Sequence, residues 1–166
     1  LTTAGGAIIV EGAAGLSLSE LADLSSTGGN ITLKAGTGAL AMANDTLVNA
    51  GAGQLRLDAL GLVTLGQLRS SFVGDLSITG AGVKAQADGI TDILAANANL
   101  RITSSGGIGT LSSPLETQVK NMNLWNTDPG TSVIIVEQLS TVELTQVRQQ
   151  GTGAVDVRTL AGDITV

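Results

Sequence analysis

A five-residue pattern recurs along the chain: a small residue, a spacer, then apolar-x-apolar. It reads Gly6-Ala7-Ile8-Ile9-Val10, Gly29-Asn30-Ile31-Thr32-Leu33, Gly53-Gln54-Leu55-Arg56-Leu57 and Gly74-Asp75-Leu76-Ser77-Ile78. It continues as Ala98-Asn99-Leu100-Arg101-Ile102, Thr131-Ser132-Val133-Ile134-Ile135 and Gly153-Ala154-Val155-Asp156-Val157. Counted from the first apolar residue of each, the steps are 23, 24, 21, 24, 33 and 22 residues. The period of two inside each copy marks a short strand with one buried face. A repeat this short cannot enclose a core by itself, so its neighbours must supply the rest.

Further apolar units fill out the repeat. Leu16-Ser17-Leu18, Leu40-Ala41-Met42, Val63-Thr64-Leu65 and Val83-Lys84-Ala85 follow the first set, with Val142-Glu143-Leu144 and Ile164-Thr165-Val166 further on. A weaker third patch contains Leu21, Leu24, Leu47, Leu68, Phe72, Ile90, Ile93, Val147 and Leu160. Glycine pairs such as Gly5-Gly6 and Gly28-Gly29 break the chain between patches. They leave no room for the longer 3.6-period segments of a helical solenoid. The expected fold is all-β: one domain over residues 1–166, a right-handed parallel β-helix of about seven coils of roughly 22 residues.

The core must then be aliphatic, because Phe72 and Trp125 are the only aromatic residues in a chain that is 43% hydrophobic. Stacks of Leu, Ile and Val suit parallel strands roughly 4.8 Å apart. The expected inward rows are Ile8, Ile31, Leu55, Leu76, Leu100, Val133, Val155 and Val10, Leu33, Leu57, Ile78, Ile102, Ile135, Val157.

The chemistry-bearing residues are few. There is no His and no Cys, which removes the commonest general base, the commonest metal ligand and every thiolate site. Asp75, Asp88 and Asp92 fall within one coil and its turn, and their spacing suggests different sides of it. Gly106-Gly107-Ile108-Gly109 approaches a calcium β-roll repeat but lacks its Asp. The expectation is no catalytic, cofactor-binding or metal-ligating residue, no cofactor, and no enzyme. A net charge of −6 without a basic cluster disfavours nucleic acid and anionic membranes as partners. Apolar runs such as Val133-Ile134-Ile135-Val136 are too short to span a bilayer.

The irregular step draws attention to residues 110–131. They hold both prolines and the only Trp, and the connection here takes 25 residues where other coils take 13 to 17. Read on spacing alone, this is an enlarged coil side, or a side loop that binds a partner. Its candidate interaction residues are Pro114, Glu116, Lys120, Trp125 and Asp128, since Trp favours such surfaces.

The run from Gly107 through Ser113-Pro114-Leu115 to Val119, with Gly29-Asn30-Ile31-Thr32-Leu33 and Gly162-Asp163-Ile164-Thr165-Val166, resembles the repeats of giant bacterial surface proteins of the filamentous haemagglutinin type. The resemblance implies a right-handed β-helix exported to the cell surface, acting in attachment or biofilm. The family's Asn-Pro-Asn secretion motif and membrane-barrel segment are not found, so the expected part is an internal, non-enzymatic stretch of shaft. Its expected partners are further copies of the same fold, by continuing repeats or end-to-end strand addition, and host or matrix glycans or proteins. Two alternatives stand beside it: a subunit of an extracellular fibre, and a polysaccharide lyase or hydrolase, which a groove with three converging carboxylates would favour.

Overall fold

The computed structural model describes residues 1–86 and 88–166. Among them there is no helix, and all pairings between named strands are parallel. The chain is a parallel β-solenoid with three faces. The first face stacks Ile8–Gly12, Ile31–Ala35, Leu55–Ala59, Asp75–Gly80, the second halves of Ile93–Ser104 and Leu115–Asn126, and then Val142–Gln149 and Ile164–Thr165. The second face begins with Leu16–Leu18, Leu40–Met42, Leu62–Thr64 and Gly82–Lys84, and continues through single bridges at Ile108 and Ile134. The third face carries Thr2–Thr3, Leu24–Ser26, Leu47–Asn49, Gln67–Arg69, the first halves of the two long strands, Ile134–Gln138 and Val155–Thr159.

The inward row of the first face is Ile8, Ile31, Leu55, Leu76, Leu100, Met122 and Leu144, with steps of 23, 24, 21, 24, 22 and 22 residues. The 33-residue step therefore does not exist. Met122-Asn123-Leu124 continues the row, and the next apolar-x-apolar unit, Val133-Ile134-Ile135, lies one face out of phase. Ile134, not Val133, aligns with Val155, and both continue the second face. Leu124 and Val147 take the places assigned to Ile135 and Val157. The third patch is also shifted: Val48 rather than Leu47 points inward beside Leu24, Leu68 and Ile93, and Leu21 is exposed.

The segment expected as an enlarged coil or side loop at about 110–131 is thus a coil of ordinary length, with Leu115, Val119 and Leu124 packed inward. Its strand Leu115–Asn126 is paired on both sides, to the long strand before it and to Ile134–Gln138 and Val142–Gln149 after it. Leu115, Val119, Met122 and Leu124 are fully buried. Each such side chain gains about 1.5–3 kcal/mol from leaving water.

At Gly29, Gly53 and Gly153 the small residue that opens the repeat has a steric cause. A Cβ on Gly29 would lie 2.1 Å from the Gly6 carbonyl oxygen, and one on Gly53 would lie 2.2 Å from that of Gly29. The backbone of one coil occupies the space that a side chain in the next would need. Two inner rows change from apolar to polar along the axis. Gly12, Ala35, Ala59 and Gly80 give way to Ser104, Asn126 and Gln149, while Leu24, Val48, Leu68 and Ile93 give way to Thr117 and Gln138. Both polar stretches are satisfied internally. Thr117 Oγ1 donates to Gln138 Oε1 at 2.7 Å, and Gln138 Nε2 donates to the Val119 carbonyl at 2.7 Å. Asn126 Nδ2 donates to Ser132 Oγ at 2.8 Å and to Gln149 Oε1 at 2.9 Å.

Candidate functional site

The five residues expected to form one interaction loop are spread around a coil. Pro114 precedes the strand Leu115–Asn126, and Glu116 faces outward on the third face. Lys120 is exposed at the corner leading to the first face, and Trp125 points outward on that face beneath Arg148, whose guanidinium lies 5.1 Å from the ring centroid. Asp128 closes the following turn. Its carboxylate accepts from the Gly130 and Ser132 amides at 3.0 and 3.2 Å. Hydrogen bonding from Ser132 and Gly130 holds it below the usual carboxylate range. Asp128 shapes the turn, and the five residues do not make one surface.

The fold does assemble carboxylates, but a different set from the one considered in the sequence. Asp75 lies on the first face, whereas Asp92, Glu116 and Glu137 lie in one row on the third, a coil apart. Asp88, expected on another side, is close enough to repel both Asp92 and Glu116. Asp92 is buried and accepts from the Glu116 amide at 2.8 Å. Burial pushes its carboxyl up to about 8; the Glu116 amide opposes the rise, and the charges of Glu116 and Asp88 add to it. Glu116 is also raised, first by burial and then by Glu137 and Asp88. Glu137 ends the row in an ion pair with Arg158 at 2.7 Å. Glycoside cleavage places two carboxyl groups on either side of a scissile bond. With only 2% of Asp92 exposed, its carboxyl meets backbone rather than a substrate.

The first face presents a second polar row: Asp75, Asn99, Asn121 and Glu143, one residue from each of four successive coils. Asn99 Nδ2 donates to Asp75 Oδ1 at 3.1 Å. A groove of about 220 Å³ runs beside this row, lined by Asp75, Asn99, Arg101, Asn121, Asn123 and Thr145 over the backbone of Leu100. A second hollow of about 300 Å³ adjoins it at Asn121, between Lys120 and Glu143. Both hollows lie at strand irregularities. Asn99 follows a register shift that begins at Ala95, and Thr145 is the extra residue where Leu144 pairs with Met122 but Gln146 pairs with Asn123. Bulges of this kind bend a strand and re-aim its side chains. Neither row was seen in the sequence, although the spacings of 24 and 21 for the carboxylates and 24, 22 and 22 for the amide row equal the coil length.

Among the described residues, no group of three or more His, Cys, Asp or Glu is placed to hold a metal ion. No helix of the described chain is long and apolar enough to cross a membrane. Comparison with protein-family models, with curated proteins and with solved structures finds no match to this chain.

Proposed function

We propose that the chain is a stretch of non-enzymatic shaft from a large secreted or cell-surface bacterial protein that acts in attachment or biofilm. The observation that carries this reading is the unbroken stacking of coils at a near-constant step, from Ile8 to Leu144, around an aliphatic core. A rod of this kind extends by adding coils without changing its cross-section, which suits a spacer. The resemblance of its repeats to the filamentous haemagglutinin type supports the same reading. The burial of Asp92 supports a packing role for that carboxyl rather than contact with a substrate.

The test is competition for attachment. Purified chain added to cells that express the parent gene should reduce their adhesion to host-cell or matrix surfaces, and deletion of the gene should reduce it too. Adhesion unchanged by both treatments would overturn the proposal.

A further inference from the structure

Three links join the row Asp75, Asn99, Asn121 and Glu143, and only two amides are available to donate across them. A carboxylate only accepts, while an amide has one donating and one accepting end. With the Asn121 nitrogen toward Asn99, it donates to Asn99 Oδ1 at 2.9 Å, and its own oxygen faces the Lys120 carbonyl at 3.0 Å and Glu143 Oε2 at 3.3 Å. Turned over, it donates to those two, and its oxygen faces Asn99 Oδ1 at 2.9 Å. Turning Asn99 as well moves the mismatch to Asp75. One link always sets oxygen against oxygen, so this exposed row leaves an acceptor position open to a donor from water or a ligand.

The surroundings define what can supply it. Arg101 is exposed beside the row and has no ion pair among the described residues, in contrast to Arg56, which is bound to Asp58 at 2.9 Å. Within the first hollow Arg101 balances Asp75, and within the second Lys120 balances Glu143. Such a groove has no net attraction for a polyanion or a polycation. The flanking strands are paired on both sides, which removes the strand-addition mode of peptide recognition. Asn121, Asn123 and Trp125 alternate outward along one strand, so the polar row leads across the face to an aromatic ring.

We propose that this groove binds a neutral oligosaccharide, one of whose hydroxyls donates into the Asn121–Glu143 link while Arg101 and Asn123 hold neighbouring oxygens. The proposal rests on the attachment reading above and names the ligand class it would use.

The test is titration calorimetry of the whole chain with cello-, malto-, manno- and chitohexaose, beside a sulfated and a uronic-acid oligosaccharide. At least one neutral hexaose should bind in the millimolar range or tighter. Arg101→Ala and Asn121→Ala should each weaken it about tenfold, equivalent to about 1.4 kcal/mol. Lys84→Ala, on the second face, should leave it unchanged. Arg101 is exposed, so its variant should melt with the wild type and decides the matter should Asn121→Ala unfold. The proposal is overturned if no neutral hexaose binds at millimolar concentration, if only the charged oligosaccharides bind, or if Arg101→Ala binds like wild type. A hexaose that binds and gains new reducing ends would uphold the site and overturn the non-enzymatic reading. Failure to bind would remove the site and leave the shaft standing.

Discussion

Asp92 shows how a single side chain ties this fold to pH. In the folded chain it keeps its proton up to about pH 8, whereas an unfolded Asp releases it near the ordinary value of 3.8. Across that window the folded state binds more protons, so stability falls as pH rises, by at most about 1.4 kcal/mol per pH unit. The raised Glu116 acts in the same direction. Urea unfolding between pH 4 and pH 8 should therefore show the wild type losing stability, with a flatter profile for Asp92→Asn, which keeps an acceptor for the Glu116 amide. Equal slopes for the two proteins would contradict the assignment. Gln138 gives a second prediction. Its amide meets Thr117, the Val119 amide and the Val119 carbonyl inside the core. Gln138→Ala strands these groups and opens a cavity, and should cost at least about 2 kcal/mol in the same measurement. A loss within about 0.5 kcal/mol, as for an ordinary surface change, would show that the network is dispensable.

At the scale of strands and coils, the repeat was legible in the sequence and its phase was not. The first four steps fall where the structure has them: a glycine marks the corner before Ile8, Ile31, Leu55 and Leu76, and at Leu100 the apolar-x-apolar spacing alone keeps the phase. From Leu115 to Asn126 one continuous strand rounds the corner between two faces with no glycine to mark it. The next glycine-free apolar unit, Val133-Ile134-Ile135, has the same pattern but lies on a different face. The carboxylate and amide rows were hidden for a related reason. A row becomes visible only after the coil length between its members is known, and the lost phase removed that for Glu116, Asn121, Glu137 and Glu143. The corrected register makes a direct prediction. Leu124→Ala should destabilise the chain by about 2–5 kcal/mol, as expected for a buried leucine. A side-loop position would lose roughly 0.5 kcal/mol or less, and chemical denaturation separates the two.

The whole molecule is a solenoid whose sides are closed by pairing between successive coils. The central claim concerns location and use: a shaft held at the surface of a bacterial cell. Immunogold electron microscopy tests it most directly, with antibody raised against the 166-residue chain and applied to intact cells that express the parent gene. The account predicts gold at the cell surface or along filaments projecting from it, and none on cells with the gene deleted. Label found only in the cytoplasm after permeabilisation would contradict it.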